Sequence, residues 1–222
     1  EDGLAENIWG NADFYVPMKK YSATNLDKVI FWKMPYKFEY TDPVAGIGYR
    51  RTVMTTFTTD ECLLNRAEAY IMLKKYDEAA ADLTLWMQNT VNTSMVLTPA
   101  SIQEFYKDIP YSYDVTENDP DGIESTIKKH LNPAFTIDAE GSVQECMLQC
   151  MLDFRRIETM EGGLRWFDIK RYGIEIIRRT MNSSGIPAKK TDVLTKDDER
   201  RAIQIPQKVR DAGCPANPRT AK

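Results

Sequence analysis

The clearest periodic pattern in the chain is an apolar stripe over residues 143–157. Its members recur at intervals of three or four residues, as on one face of an α-helix: Val143, Cys146, Met147, Cys150, Met151, Phe154 and Ile157. Ser142 and Glu145 have the spacing of a capping box, in which each side chain satisfies a backbone N–H of the first turn. The stripe and the cap together predict an amphipathic helix.

The segment after this helix also has a helical pattern. Gly162 and Gly163 end the first helix, because glycine is the common residue just beyond a helix C-terminus. Residues 164–179 then continue with helix-forming side chains, with Gly173 as a possible break. Residues 142–179 are therefore predicted to form a helical pair.

Residues 58–90 carry a second pair of helical patterns. Thr58 and Glu61 form a capping box before "DECLLNRAEAYIML", and "DEAAADLTLWMQN" follows after three residues. The spacing of small and bulky positions is typical of a tetratricopeptide-type hairpin: Leu63, Ala67, Tyr70, Ala79 and Leu83. One such repeat cannot bury its own apolar face, and no second copy follows. We therefore expect its stacking partners in sequence preceding Glu1.

The remaining segments have no long periodic pattern. Residues 1–57 are rich in Gly, Pro and aromatic side chains, with short strand-like runs such as "KVIFW" and "RTVMTTF". Residues 91–141 are irregular and polar, apart from a short helix predicted at "SIQEFYKDI". Residues 200–222 form a proline-punctuated tail that is predicted to be extended. The predicted fold is mainly α, with long irregular loops and short β-strands.

Composition and charge narrow the classes of function. Hydrophobic and charged residues make up 42% and 28% of the chain, as in ordinary globular proteins. The net charge of −4 argues against a nucleic-acid surface, which requires a basic excess. No apolar run approaches the roughly 20 residues of a membrane span, and the first residues do not form a signal peptide. Because the sequence begins without Met, we expect it to be a piece of a longer protein.

Candidate metal and catalytic patterns are weak. Cys146 and Cys150 lie four residues apart on the predicted helix with no nearby His, and are interpreted as buried apolar residues. In the acidic loop "YDVTENDPDGIES", an EF-hand register beginning at Glu117 requires a bidentate acid where Lys128 stands. A looser calcium site in that loop stays open, although a solvated acidic loop is favoured. No cofactor and no metal are predicted.

Enzyme chemistry also has little support. The single histidine, His130, excludes sites that need several imidazoles, and no phosphate-binding loop or nucleophile elbow is present. A glycosidase that uses a pair of carboxylates remains an alternative, since Asp and Glu are plentiful.

The segment "GGLRWFDIKRYG" places Trp166 and Phe167 among charged residues. It is either a cationic site for an anionic ligand or a structural element braced by Arg–carboxylate pairs. Glu158, Glu161 and Asp168 supply matching carboxylates for the arginines, and arginines that are paired in this way are poor anion sites. We interpret the segment as structural, with both aromatic residues in the core.

This segment also carries a family resemblance. "RRIETMEGGLRWFDIKRYG" resembles the C-terminal signature of the SusD/RagB family of nutrient-binding outer-membrane lipoproteins of Bacteroidetes. The matching residues are Arg155, Arg156, Glu158, Gly163, Arg165, Trp166, Phe167, Asp168, Lys170 and Arg171. One departure is Gly162, which stands where the family has Glu. Two further stretches are similar to family segments: the hairpin "ECLLNRAEAYIMLKKYDEAAADL", and "IQIPQ" followed by "NPR".

The resemblance implies a function and a location. It implies that residues 1–222 are the C-terminal portion of a surface-exposed, non-enzymatic lipoprotein of the outer membrane. Such a protein hands a glycan, or alternatively a peptide, to a TonB-dependent transporter. Membrane contact is then made only through a lipid anchor outside this chain. The alternatives are a glycoside hydrolase and a non-catalytic helical-repeat scaffold.

Aromatic residues before the hairpin form a cluster of candidate ligand contacts: Trp32, Tyr36, Phe38, Tyr40 and Tyr49. The predicted contacts are Trp32, Tyr36 and Tyr40, which are spaced four residues apart in "FWKMPYKFEY". Aromatic rings stack on the apolar C–H faces of sugars, and an extended loop with this spacing would spread them along successive sugar units. Loops packed over helices are the alternative for these residues.

Overall fold

Helices and strands are mixed along the chain. The computed structural model describes residues 7–15, 19–22, 25–30, 36–52, 55–117, 119–160, 162–185 and 187–219, with the backbone only at 19–22, 25–30, 36–37 and 52. In chain order the elements are β1 (Lys19–Ser22), β2 (Asn25–Ile30), β3 (Tyr36–Asp42), β4 (Ile47–Thr52), α1 (Thr59–Met72), α2 (Tyr76–Thr90), α3 (Pro99–Asp108), α4 (Val143–Glu158), α5 (Arg165–Arg171), β5 (Ile176–Met181), β6 (Pro187–Leu194) and α6 (Gln207–Asp211).

The strands form antiparallel hairpins between neighbours in sequence. Within the described ranges β1 pairs with β2, β3 with β4 and β5 with β6, each as a two-stranded sheet. The prediction of helices with short strands is confirmed in this coarse form. The prediction of a mainly α chain was too strong, because strands also make up much of residues 19–52 and 176–194.

The chain divides into two compact units, and helices α1 to α4 belong to the first. The first unit comprises Glu1–Asp108 and Asp138–Gly163, and the second comprises Ile109–Ile137 and Leu164–Lys222. Thr58 caps α1 by accepting a hydrogen bond from the Glu61 N–H at 3.1 Å, as its spacing predicts.

Helices α1 and α2 pack together as a helical hairpin. Ala67, Ala79 and Leu83 are fully buried, as expected for the small and bulky positions of a helix crossing. Leu63 is only half-buried, and its neighbour Leu64 fills the core instead. The guanidinium of Arg66 makes two hydrogen bonds with the Asp82 carboxylate, at 2.8 and 2.7 Å, so the hairpin is also tied by an ion pair.

Helix α4 lies at the centre of the first unit, against α1, α2 and α3. Ser142 accepts from the Glu145 N–H at 3.2 Å, so the predicted cap is confirmed. The predicted apolar stripe is buried, with Val143 half-buried at its start. The opposite, polar side of the helix is buried too, which the amphipathic pattern did not predict.

Buried polar side chains of α4 have hydrogen-bond partners within the first unit. The side-chain amide of Gln144 donates to the Ile71 carbonyl at 3.3 Å, and that of Gln149 donates to the Glu145 carboxylate at 2.7 Å. Tyr106 donates its hydroxyl to Asp153 at 3.4 Å. Because an unmade hydrogen bond is expensive in a core, these partners allow a helix with polar positions to be buried on all sides.

The second unit departs from the predicted helical pair. α5 ends at Arg171, and Ile176–Met181 is a strand that pairs with β6. The prediction of a helix over residues 164–179 was therefore wrong beyond Arg171. Gly173 has a φ of +61° and stops the helix, as a glycine in the left-handed region does. The tail at 200–222 is not wholly extended, since a 3-10 turn at Glu199–Arg201 and α6 interrupt it.

The interior of the second unit depends on Arg201, which is buried. Its guanidinium donates to the carbonyls of Thr195, Ile169, Ile174 and Leu194 at 2.6, 3.0, 2.5 and 3.2 Å. This one side chain therefore satisfies carbonyl groups in the last turn of α5, just beyond α5 and at the end of β6.

We predict that Gly173→Ala destabilises the second unit much more than Gly185→Ala does. Both glycines have positive φ, at +61° and +76°, so alanine carries a similar backbone strain of roughly 1–2 kcal/mol at each position. A Cβ at Gly173 would lie 2.0 Å from the Asn132 carbonyl oxygen, whereas the space around Gly185 is open. Urea unfolding of both variants tests this, and equal losses of unfolding free energy would contradict it.

Candidate functional site

The β3–β4 hairpin presents a row of side chains that the described fold leaves exposed. Its turn is built by Asp42, whose carboxylate accepts from the backbone N–H groups of Val44 and Ala45 at 2.9 and 3.0 Å. Gly46 completes the turn with a φ of +68°. This turn sets the register in which the two strands meet, and the register decides which side chains share a face.

One face of the hairpin, here called the aromatic face, consists of Phe38, Tyr40, Gly48 and Arg50. Phe38 lies opposite Arg50, and Tyr40 lies opposite Gly48. Side chains directly opposite each other in an antiparallel pair point to the same face. The rings of Phe38 and Tyr40 meet edge to face, with centroids 4.9 Å apart. Phe38 is 43% exposed and Tyr40 is 57% exposed.

Gly48 shapes the aromatic face by having no side chain. A Cβ at this position would lie 2.7 Å from Cε1 of Phe38 and 2.3 Å from the Glu39 carbonyl oxygen. The Phe38 ring therefore lies across the backbone of β4, which is a site where glycine in a strand permits close approach. The Phe38 ring therefore packs on the β4 backbone at Gly48 and remains partly exposed to solvent.

The opposite face, here called the ion-pair face, consists of Glu39, Tyr49 and Arg51. Glu39 lies opposite Tyr49, and a guanidinium nitrogen of Arg51 is 2.9 Å from the Glu39 carboxylate. Tyr49 is 50% exposed, close to the exposure of Tyr40. The two faces therefore have tyrosines of similar exposure, but one contains the Glu39–Arg51 ion pair and the other contains the Phe38–Tyr40 ring pair.

The three predicted ligand contacts have different outcomes. Trp32 lies outside the described residues. Tyr36 begins β3 opposite Thr52, and its side chain is outside the described part of the chain. Tyr40 is exposed on the aromatic face. The segment from Tyr36 to Tyr40 is a strand and not the extended loop that the sequence suggested, so neighbours two residues apart share a face. Phe38, a member of the aromatic cluster in the sequence, shares this face with Tyr40, and the register adds Arg50.

The arginines at the end of α4 form hydrogen bonds and ion pairs with other residues of the first unit. Arg155 donates to the Glu68 carboxylate at 2.7 Å, to the Asn65 side chain at 2.9 Å and to the Leu64 carbonyl at 3.4 Å. Arg156 pairs with Asp153 at 2.8 Å. These contacts favour the structural interpretation of the signature segment, with carboxylate partners that are partly different from the predicted ones.

The residues of α5 follow the structural interpretation only in part. Arg165 and Asp168 pair at 3.4 Å, three residues apart as predicted, and Asp168 is buried. Phe167 is 66% exposed and Trp166 is half-buried, so the prediction that both lie in the core was wrong. Helix α5 has only seven residues, and Asp168 is the one that is buried. Glu158 accepts a hydrogen bond from the Trp86 indole at 2.9 Å.

The acidic loop that suggested calcium is closed by its own backbone. Asp119 is buried, and its carboxylate accepts from the Glu124 N–H at 2.6 Å. Hydrogen bonds from the backbone of Ile123 and Glu124 lower the pKa of Asp119, and the charge of Arg179 adds to this effect. Across the described residues, no three side chains of the His, Cys, Asp and Glu types are placed to hold a metal ion.

Two further sets of residues show how the fold uses titratable side chains. His130 stacks on Tyr111 with centroids 4.1 Å apart, and its Nε2 lies 2.9 Å from the Asp114 carboxylate. Cys146 and Cys150 are buried and form no disulfide, which agrees with the interpretation of both as buried apolar residues. Burial raises the pKa of the Cys150 thiol well above its ordinary value, and a thiol held in its neutral form is a poor nucleophile.

Comparison with known proteins finds no family to which the chain can be assigned. No family model matches the chain, and neither a curated protein nor a solved structure matches it. None of the described helices combines the length and the apolar character that crossing a membrane requires.

We predict that two of the described tryptophans, Trp86 and Trp166, differ in their contribution to stability. Trp86 is 2% exposed and stacks on Phe154 with centroids 4.6 Å apart, so Trp86→Ala should cost about 3–5 kcal/mol. Trp166 is half-buried, so Trp166→Ala should cost less than about 2 kcal/mol. Urea unfolding monitored by circular dichroism measures both. A larger loss of unfolding free energy in Trp166→Ala than in Trp86→Ala would contradict the half-buried position of Trp166.

Proposed function

We propose that the chain binds carbohydrate without turning it over, and that the aromatic face of the β3–β4 hairpin is a contact surface for that ligand. The supporting observation is the pair of exposed rings at Phe38 and Tyr40, held edge to face over Gly48. Burying such rings against the C–H face of a sugar removes apolar surface from water and leaves the hydroxyl groups at the rim free to hydrogen-bond.

The wider setting of this proposal comes from the family resemblance. We propose that the chain is the C-terminal portion of a SusD/RagB-like lipoprotein at the surface of the outer membrane, which delivers its ligand to a TonB-dependent transporter. The buried contacts of Arg155 and the pairing of Arg165 with Asp168 support a structural role for the residues that carry the resemblance. Ligand contacts are then expected in segments outside that signature.

The α1–α2 hairpin is proposed to be a tetratricopeptide-type unit. Its support is the full burial of Ala67, Ala79 and Leu83 at the crossing of the two helices. Leu73 and Leu85 are 68% and 49% exposed, and a stacked neighbouring unit would cover exposed apolar residues of this kind. Trp32 and Tyr36 remain predicted ligand contacts beside Tyr40.

The matched tyrosines on the two faces of the hairpin provide the experiment. Tyr40→Ala should weaken binding of the best-bound glycan by about fivefold, which is about 1 kcal/mol, because one stacked ring is lost. Tyr49→Ala removes a ring of similar exposure from the ion-pair face and should change affinity less than twofold. A glycan array on the purified chain selects the ligand, and calorimetry then measures both variants.

The same assay separates the alternatives. Equal effects of Tyr40→Ala and Tyr49→Ala on affinity would remove the aromatic face from the binding surface. Binding to no glycan on the array would contradict carbohydrate binding by the chain and leave a helical-repeat scaffold as the better explanation. Release of reducing sugar from the bound polysaccharide would indicate a glycoside hydrolase.

A further inference from the structure

The two exposed rings of the aromatic face lie at a steep angle to each other. Phe38 and Tyr40 meet edge to face, with their centroids 4.9 Å apart and their planes 73° apart. One ring therefore points its edge at the face of the other. The pair forms a corner, and it does not form a flat, continuous surface.

This corner is supported by the backbone of β4. Tyr40 lies directly opposite Gly48, and a Cβ at Gly48 would lie 2.7 Å from Cε1 of Phe38. The Phe38 ring thus occupies space that a side chain on β4 would take. Because the ring packs on backbone, its angle to Tyr40 is set by the hairpin before a ligand binds, which lowers the entropic cost of binding.

The angle between the rings decides how many sugars they can hold. Rings that stack on successive sugars of an extended chain must turn their faces in the same direction, and planes 73° apart do not. One pyranose ring fits the corner, with its C–H face on one aromatic ring and its edge against the other. The second ring then blocks continuation of the glycan chain on that side.

Resting on the proposed function, we infer that the aromatic face is a subsite for a single pyranose residue at the end of a glycan chain or branch. A run of successive sugar units is not what it recognises. The selectivity is therefore for a terminal residue, and the sugars beneath that residue contribute little to affinity.

The Tyr40 hydroxyl supplies a polar contact in the same corner. Tyr40 is 57% exposed, and within the described part of the chain its hydroxyl has no hydrogen-bond partner. A phenol both donates and accepts hydrogen bonds, as sugar hydroxyl groups do. The sugar that stacks in the corner therefore meets a hydroxyl at the edge of the Tyr40 ring.

A glycan array tests the recognition of a terminal residue. The array presents glucose, mannose, galactose, N-acetylglucosamine, xylose and fucose, each once at the end of unrelated chains and also in runs. Binding should follow the terminal residue whatever sugars lie beneath it, and a run should bind within about twofold of a single terminal copy. Each further stacked sugar would instead strengthen binding by about fivefold.

The methyl glycoside of the residue selected on the array tests the corner itself. Phe38→Ala and Tyr40→Ala should each weaken its binding by about fivefold, because both rings contact the same sugar. Tyr40→Phe keeps the ring and should weaken binding by about threefold through loss of one hydrogen bond. Tyr49→Phe is the matched control on the ion-pair face and should change binding less than twofold. NMR titration measures the affinities, and the amide spectra confirm that each variant keeps its fold.

The outcomes separate this inference from the proposed function. Binding that requires a run of identical sugars would overturn the single-residue subsite and leave carbohydrate binding intact. An effect of Tyr40→Ala without an effect of Phe38→Ala on the methyl glycoside would also overturn it, because only one ring would then contact the sugar. Equal losses in Tyr40→Phe and Tyr49→Phe would contradict the hydroxyl contact. Binding to no glycan on the array would contradict the proposed function itself.

Discussion

The first unit depends on a buried ion pair between α4 and α1. A guanidinium nitrogen of Arg155 lies 2.7 Å from the Glu68 carboxylate, and the two side chains are only 8% and 10% exposed. Breaking such a pair by removing one partner leaves an uncompensated charge in the core, at a cost of about 3–5 kcal/mol. Asn65 and the Leu64 carbonyl accept further hydrogen bonds from the same guanidinium. The position of α4 among α1, α2 and α3 is therefore fixed by a polar contact as well as by apolar burial.

Because the arginines of the signature segment have partners within the protein, a ligand surface is expected outside that segment. Arg155, Arg156 and Arg165 belong to the segment that resembles a family signature, and each has a carboxylate partner in its own unit. Their charges serve the fold. The β3–β4 hairpin is different, because both of its faces are exposed and an isolated two-stranded hairpin gains little stability alone. Its exposed rings are the surface on which the proposed ligand binding rests.

Sequence patterns predicted the helices of the first unit well and the second unit poorly. Capping boxes at Thr58 and Ser142 located α1 and α4, because a cap is a local signal that needs no knowledge of the fold. The helix predicted over residues 164–179 includes the strand Ile176–Met181, because the two isoleucines and two arginines of that strand fit either period over six residues. Burial of the polar side of α4 was also missed, because it depends on partners such as Glu68 in another helix.

The candidate site was predictable only in part, for a similar reason. The richness of aromatic residues before α1 pointed to this segment, and Tyr40 is exposed there. The sharing of one face by Phe38, Tyr40 and Arg50 depends on the register between β3 and β4. That register follows from the turn at Asp42, and a shift of one residue would exchange the two faces. Sequence spacing alone does not contain this information.

A double-mutant cycle on Arg155 and Glu68 tests the central claim most directly, namely that the signature arginine serves the fold. Arg155→Met, Glu68→Met and the double variant are unfolded in urea, and the coupling energy is taken from the four free energies of unfolding. The account predicts that each single change costs about 3–5 kcal/mol, and that the double variant costs less than the sum by at least about 2 kcal/mol. Small, additive losses would contradict it, because they would show that Arg155 is not needed by the fold and is available to an anionic ligand.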